Sequence, residues 1–197
     1  MIALLDTNLL DVAQDELGIE VGQLLTPRGR HPDKGRKYAI DNGAYSHFDR
    51  AGFERLLERQ RPHKDRCLFV ASPDVVGNAR RTLEAFEYWY PRLYTFPVAL
   101  VIQDGIEDMT IPWHLLSAVF IGGTTKFKLS AAAEAVIRCA QLQAKWVHVG
   151  RINMPERYDK FAALGVDSFD GTGLVRDRHK RLVLTRRPAL LEIAEAR

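Results

Sequence analysis

Three aspartates stand directly after short apolar runs, at the points where strands of a sheet would end. Asp41 follows YAI, Asp74 follows CLFVASP, and Asp170 follows VDSF and precedes a glycine. One aspartate in such a place more often caps the following helix than reacts. Three in equivalent places indicate a site, because two carboxylates can divide a displacement at an anomeric carbon: one attacks and the other moves the proton.

Other polar or glycine residues follow the remaining apolar runs. Gln103 ends VALVIQ, Gly122 and Gly123 end AVFIGG, and WVHVG contains His148 and Gly150. The glycine amides are suited to hydrogen-bond a ligand carbonyl, although on its own the pair indicates a tight turn. A lone histidine in a strand is more often packed than catalytic. The sequence has no phosphate-binding glycine loop and no clustered His/Cys spacing, so neither a cofactor nor a metal is predicted.

The elements that would position these residues alternate between strands and helices. Strand-like runs occupy residues 38–41, 67–72, 98–103, 118–123, 145–150 and 166–171. Residues 2–5 and 19–25 supply two more, which predicts an α/β fold: a compact (β/α)8 barrel of the TIM type in a single domain, residues 1–197. An open doubly wound sheet is the alternative, but it would gather the polar residues at one crevice. A terminal helix is predicted over residues 187–196.

Composition excludes several classes of protein. The 197 residues are 46% hydrophobic and 27% charged, an ordinary globular profile without a membrane-spanning apolar run. The chain begins MIALLDTNLLDVAQDE, whose early acids argue against a signal peptide. Cys67 and Cys139 lie in apolar contexts and are predicted to be buried free thiols, which is typical of the reducing cytoplasm.

Positive charge is concentrated in two segments. Residues 28–37 hold five basic and one acidic residue, and residues 171–187 hold six and one, whereas the whole chain has a net charge of +3. Such patches on an acidic body predict a polyanionic partner, because phosphate contacts come mainly from Lys and Arg. The candidates for nucleic-acid binding in the basic C-terminal segment, residues 176–187, are Arg176, Arg178, Lys180, Arg181, Arg186 and Arg187.

Six segments, in order along the chain, resemble the tRNA-guanine transglycosylases and, more closely, their DNA-acting relatives, the DpdA family of 7-deazaguanine DNA transglycosylases. The segments are IDNGAY (40–45), ASPDVV (71–76), VIQDG (101–105), FIGGTT (120–125), HVGRIN (148–153) and GVDSFDG (165–171). They are similar to the family's DSGGF, its base-reading aspartate segment, and its IQxG, VGGL, MGVG and GIDMFD segments. Each match is weak alone, but six in order make the resemblance specific.

The resemblance implies a TIM-type barrel, a mechanism and a set of roles. Asp170 would attack C1′ of a deoxyguanosine as the nucleophile, and Asp41 would act as the general acid and base. The residues implied to hold the substrate are Asn42, Gly43, Asp74, Gln103, Gly122, Gly123, His148 and Gly150. Tyr45 or Phe127 could stack on the purine, and either could equally belong to the core. No cofactor is implied, because one glycosidic bond replaces another.

The chain departs from the family pattern in three places. Asn42 replaces a serine, and Ala44 and Tyr45 replace a Gly-Phe pair. The tRNA enzymes also carry a Cys/His zinc subdomain after the nucleophile, where this sequence has 27 residues without a cysteine. Since that subdomain helps to engage tRNA, the expected partners are DNA and a free 7-deazapurine base, with accessory DNA-modification proteins, as in a phage. A base in a duplex would have to leave the stack to be reached.

Three alternatives remain open. The first is the same chemistry on tRNA instead of DNA. The second follows from the start of the chain, where Asp6, Thr7 and Asn8 after an apolar run resemble PIN-domain nucleases, which gather carboxylates around Mg²⁺. The third is a barrel that binds a base or a nucleic acid without reacting.

Overall fold

Eight parallel strands close into a barrel, as the sequence predicts. The structure is a computed structural model and describes residues 1–185 of the chain. The strands are β1 Ile2–Leu5, β2 Val21–Leu25, β3 Tyr38–Ile40, β4 Cys67–Ala71, β5 Val98–Ile102, β6 Ala118–Ile121, β7 Trp146–Val149 and β8 Ser168–Asp170. Each strand pairs with the next, and β8 pairs with β1. The two strands predicted near the start of the chain therefore complete the barrel.

Helices on the outside of the barrel connect most of the strands. They are α1 Leu10–Leu17, α2 Arg50–Gln60, α3 Ala79–Leu93, α4 Thr125–Lys128, α5 Ala131–Leu142, α6 Pro155–Ala163, α7 Thr172–Arg176 and α8 Arg178–Leu184. Short 3₁₀ turns occupy Arg61–Arg66, Ile106–Asp108 and Trp113–Leu115. None of the helices in residues 1–185 combines the length and the apolar character needed to cross a membrane. The helix predicted over residues 187–196 lies outside the described residues.

Side-chain caps explain where three of the helices begin. Ser130 caps α5, since its hydroxyl accepts a hydrogen bond from the Ala133 N–H at 3.3 Å. Asp49 and Asn78 cap α2 and α3 in the same way. Each cap satisfies a backbone N–H that the first helical turn leaves without a partner, and its loss costs about 1 kcal/mol.

The core has two layers, because every strand is buried on both faces. The inward-facing apolar side chains that fill the barrel include Leu4, Leu24, Phe69, Val101 and Phe120. The alternate side chains of the strands pack outward against the helices. β8 shows the consequence of this alternation: Phe169 belongs to the outer layer, while Ser168 and Asp170 point into the barrel. Polar side chains thus enter the interior at the end where the strands finish.

The two cysteines differ in their surroundings. Cys67 is buried as predicted, and burial raises the pKa of its thiol to about 12. The predicted burial of Cys139 is wrong, because this residue is exposed on α5. Val136, Ile137 and Ala140 turn toward the barrel and leave Cys139 on the outer side of the helix.

Candidate active site

A cavity of about 360 Å³ opens at the carboxyl ends of the strands. This volume lies within the range of about 300–1,000 Å³ that is usual for small-molecule sites. The predicted site residues that line it are Asp41, Asn42, Asp74, Gln103, Gly122, Gly123, Gly150 and Asp170. Gly43 and His148 lie behind the lining: the Gly43 N–H donates to Asp41, and the His148 ring contacts Asp170. The end of the barrel therefore brings together residues that are up to 129 positions apart in the sequence.

Asp170 is held by contacts on both of its carboxylate oxygens. The main-chain N–H of Arg151 donates to Oδ1 at 3.0 Å, and Nε2 of His148 lies 3.1 Å from Oδ2. The Ile152 N–H also donates to the main-chain carbonyl of Asp170 at 2.7 Å. Arg151 adopts a left-handed backbone conformation, with φ of 62°, which is unusual for a residue with a side chain. These contacts fix the direction of the Asp170 carboxylate in the cavity.

His148 belongs to a buried chain of hydrogen bonds behind Asp170. Trp146 donates from Nε1 to the Ser168 hydroxyl at 2.8 Å, and that hydroxyl lies 2.9 Å from Nδ1 of His148. An ionised carboxylate can only accept, so a neutral His148 must carry its proton on Nε2 and accept from Ser168 at Nδ1. The predicted role of His148 as a substrate-binding residue is therefore corrected: it is fully buried and positions Asp170.

Asp41 lies at the end of β3, and its surroundings favour its protonated form. Burial raises the pKa of its carboxyl group to about 7, and the negative charges of Asp170, Asp74 and Asp6 act in the same direction. The Gly43 N–H, which donates to Oδ1 at 2.8 Å, opposes this rise. A carboxyl group with a pKa near 7 can both give and accept a proton at neutral pH.

Asp74 is oriented by two amide side chains. Asn42 donates to Oδ1 at 2.8 Å and Gln103 donates to Oδ2 at 2.6 Å. Burial raises the pKa of Asp74, while these two donors lower it. Gln103 is fixed in turn, because its carbonyl oxygen accepts from the Gly77 N–H at 2.8 Å. Each oxygen of Asp74 keeps a second lone pair, so the carboxylate can still accept hydrogen bonds from a ligand.

Four glycines line the cavity and leave room for a ligand, but only one of the FIGG pair has an amide suited to meet it. The Gly122 N–H donates to the Ile102 carbonyl at 3.0 Å, which corrects its predicted role as a ligand donor. Gly123 follows with φ of 72° and has the remaining amide of the pair. A Cβ atom at Gly150 would lie 2.5 Å from the Phe120 ring, so a larger residue would displace that ring.

The cavity also contains charged residues that the resemblance did not assign to the site, among them Asp6, which the sequence analysis named only for the nuclease alternative, and Lys128. Asp6 lines it, and burial raises the pKa of this carboxyl group. Its position after an apolar run matches that of the other three aspartates, so the same signal could have found it. Lys128 is only 5% exposed, and its Nζ donates to the Gly150 carbonyl at 2.7 Å. Nothing in the sequence of α4 distinguishes Lys128 from the exposed Lys126.

Tyr45 and Phe127, the two aromatic candidates for stacking, have different surroundings. Tyr45 is 69% exposed at the mouth of the cavity, where the Arg151 guanidinium lies 4.2 Å from the centre of its ring. Phe127 is buried in the outer apolar layer and belongs to the core. Tyr45 is therefore the one of the two that a ligand can reach.

The basic C-terminal segment is partly neutralised by α1. Arg178 donates to Glu16 at 2.8 Å, and Arg181 donates to the other oxygen of Glu16 at 2.5 Å and to the Leu174 carbonyl at 2.6 Å. Arg181 is buried, so its predicted contact with nucleic acid is corrected: it fastens α8 to α1. Arg176, Arg178 and Lys180 are exposed. The predicted binding residues Arg186 and Arg187 lie outside the described residues.

Arg181→Ala is expected to lower the midpoint of thermal unfolding by roughly 5 °C, because it leaves one carboxylate oxygen of Glu16 and the Leu174 carbonyl without their donor. The matched control is Arg178→Ala, which removes a largely exposed guanidinium that contacts the same glutamate. This control is expected to change the midpoint by less than about 2 °C. Differential scanning calorimetry of the two variants measures the difference, and equal midpoints would contradict the structural role of Arg181.

Among residues 1–185, no group of three or more His, Cys, Asp or Glu side chains is placed to hold a metal ion.

No protein-family model matches the chain, and no curated protein matches it. Phosphoribosyl anthranilate isomerase from Thermus thermophilus is 16% identical, with a TM-score of 0.48 over 96% of this chain and 98% of that one. CdNal from Clostridium difficile, in complex with mannosamine, is 14% identical, with a TM-score of 0.43 over 95% of this chain and 58% of that one. The strand pairing itself shows the fold: this chain is an α/β barrel of the TIM type.

Proposed function

We propose that this protein is an enzyme that exchanges guanine in DNA for a 7-deazaguanine base, such as 7-cyano-7-deazaguanine. The observation that carries the proposal is the convergence of Asp170, Asp41 and Asp74 on one cavity at the carboxyl ends of the barrel strands. A TIM-type barrel places catalytic residues at this end. The ordered resemblance to the 7-deazaguanine DNA transglycosylases supports the same assignment.

In the first half of the proposed reaction, a carboxylate oxygen of Asp170 attacks C1′ of the target nucleotide. The bond between C1′ and the base nitrogen breaks, and its electron pair stays with the base. Protonated Asp41 gives its proton to the departing guanine. The products are a sugar ester on Asp170, an ionised Asp41 and free guanine.

The second half of the reaction reverses these steps with the other base. Asp41 takes the proton from the ring nitrogen of the incoming 7-deazaguanine, and that nitrogen attacks C1′. The ester bond breaks and restores the Asp170 carboxylate. Proton and bond counts balance over the cycle, so the exchange needs neither an oxidant nor an energy-rich nucleotide.

The base itself would be recognised by Asp74, Gln103 and Gly123, which also line the cavity. Asp74 would accept hydrogen bonds from the purine N1–H and the exocyclic amine, using the lone pairs that Asn42 and Gln103 leave available. The second amide hydrogen of Gln103 and the Gly123 N–H would donate to the purine carbonyl. Both the departing and the incoming base present this same edge, which explains how one pocket serves both.

A base-exchange assay tests this function. The purified protein is incubated with 7-cyano-7-deazaguanine and either DNA or tRNA, and the nucleosides are then analysed by mass spectrometry. The modified deoxynucleoside is expected in DNA. Product in tRNA alone would keep the chemistry and overturn the choice of DNA as the substrate. The absence of product from both nucleic acids would contradict the proposed reaction.

His148 is expected to affect the rate of exchange through the orientation of Asp170. His148→Leu removes the Nε2–H donor and is expected to lower kcat about 10²-fold, with less than about a threefold change in the KM for DNA. His148→Gln places an amide donor at a similar reach and is expected to recover much of the rate. Steady-state kinetics of the two variants measures this split. Equal losses in both variants, or a loss confined to thermal stability, would contradict the positioning role.

A further inference from the structure

One part of the cavity wall is basic. Lys128 from α4, Arg151 from the loop after β7 and Arg176 from α7 line it. The carboxylates other than Asp170 follow β1, β3 and β4, on the other half of the barrel. The nucleophile therefore stands where an acidic part and a basic part of the lining meet.

Two of the three basic residues of this wall have neutral hydrogen-bond partners. Lys128 donates to the Gly150 carbonyl, and Nη2 of Arg151 donates to the Gly123 carbonyl at 3.1 Å. Within residues 1–185, no carboxylate forms an ion pair with Lys128, Arg151 or Arg176. Burial, together with the nearby charge of Arg151, lowers the pKa of Lys128 to about 8, while the negative charges of Asp170 and Asp104 oppose this fall. Like charges that share one part of a cavity wall, and that no ion pair neutralises, favour an anionic ligand at that part.

Arg151 holds its guanidinium close to the nucleophile. Its main-chain N–H donates to Asp170, and its side chain spans from the Gly123 carbonyl to the Tyr45 ring. Because both ends of the residue are anchored, the guanidinium group is pre-organised rather than free in solvent. An anion bound by this guanidinium group would lie beside Asp170, the carboxylate that is proposed to attack C1′, because the main chain of the same arginine contacts it.

We propose that Arg151 and Arg176 bind a backbone phosphate of the target nucleotide, and that the buried charge of Lys128 strengthens the positive potential at this site. The inference deepens the proposed function and rests on it for the identity of the sugar. In a nucleic-acid strand the phosphates are attached to the same sugar whose C1′ would be attacked, so gripping one of them aligns that carbon with Asp170. The planar guanidinium matches a phosphate in geometry as well as in charge.

Binding of an unmodified single-stranded DNA oligonucleotide with one guanine tests the phosphate site. Fluorescence anisotropy gives the Kd over a range of salt concentrations, with no 7-deazaguanine present. Arg151→Ala is expected to weaken binding about tenfold at low salt and to reduce the slope of log K against log salt by about 0.7, the value for one phosphate of a single strand. Arg151→Lys keeps the charge and is expected to keep the slope.

Two further variants keep the test decisive if Arg151→Ala folds poorly. Arg176→Ala removes an exposed side chain of the same wall and is expected to weaken binding at least threefold, with a similar loss of slope. Arg55→Ala is the matched control, because Arg55 is exposed on α2, outside the cavity lining. A Kd within twofold of the wild type and an unchanged slope for both Arg151→Ala and Arg176→Ala would overturn the proposal.

The exchange assay separates this proposal from the proposed function. If the wild type shows the expected binding but exchanges no base, the phosphate site stands and the proposed reaction fails. If exchange occurs while Arg151→Ala and Arg176→Ala bind DNA as the wild type does, the phosphate site fails alone. A higher KM for DNA in these variants, with an unchanged KM for the free base, supports both.

Discussion

Asp170→Asn is expected to reduce base exchange by at least about 10⁴-fold, because an amide oxygen is a far weaker nucleophile than a carboxylate. The variant should fold and bind DNA normally. Its amide oxygen can still accept the hydrogen bond that Arg151 donates to Oδ1, and its amide N–H can donate to Nε2 of His148 once that ring carries its proton on Nδ1. Single-turnover exchange, followed by mass spectrometry of the nucleosides, measures the loss.

The same variant tests for the covalent intermediate. With DNA present and the incoming base withheld, the wild type is expected to accumulate a DNA adduct that survives denaturing electrophoresis and maps to Asp170. Asp170→Asn is expected to form none. Asp159→Asn is the matched control, because Asp159 is exposed on α6 away from the cavity, and it should form the adduct at the wild-type rate. An adduct that maps to another residue, or full exchange by Asp170→Asn, would contradict the mechanism.

The barrel could be predicted because its signals are local. Each of the six clearest strands is a short apolar run, and a helical pattern or a turn follows it, so alternation alone indicates the parallel sheet. A parallel barrel then places the end of every strand on one rim. Asp41, Asp74 and Asp170 could therefore be predicted to meet without knowledge of any contact between them.

The predictions that the structure corrects concern groups whose hydrogen-bond partners are far away in the sequence. In the sequence, Arg181 is one of several basic residues in a charged run, whereas its partner Glu16 is 165 residues away and no local pattern connects the two. Gly122 and Gly123 are equivalent by spacing, and only the register of β6 against β5 shows that the first amide belongs to the sheet. Strand alternation places His148 inside the barrel, but its contact with Asp170 depends on how β7 pairs with β8.

Asp41→Asn is expected to lower exchange by about 10²- to 10⁴-fold, since an amide cannot move the proton. In the proposed reaction, formation of the adduct needs protonated Asp41, so the rate of the wild type is expected to fall as the pH rises through about 7. The pH dependence above neutrality should disappear in Asp41→Asn along with most of the rate. Single-turnover adduct formation between pH 5.5 and 9 measures both profiles. A wild-type rate that rises above pH 7 would contradict this role of Asp41.

The same substitution is expected to stabilise the folded protein at alkaline pH. The pKa of Asp41 is raised from 3.8 to about 7, so the folded state binds the proton more tightly than the unfolded state does. The contribution of this tighter proton binding to the free energy of unfolding is fully present below about pH 4. It is lost as the pH rises through about 7, where folded Asp41 ionises. The shift in pKa corresponds to at most about 4 kcal/mol of the free energy of unfolding. Asp41→Asn, which mimics the neutral form, is expected to raise the free energy of unfolding at pH 8 by about 1–3 kcal/mol.

Urea unfolding of Asp41→Asn and of the wild type at pH 4 and pH 8 measures this difference, with Asp159→Asn as the control that should show none. The advantage of Asp41→Asn should nearly vanish at pH 4, because both proteins then have a neutral group at this position. A variant that is less stable than the wild type at pH 8 would contradict the raised pKa. A gain in stability together with a loss of exchange would mean that the protein keeps a carboxyl group where folding disfavours its charge, because proton transfer at neutral pH requires that group.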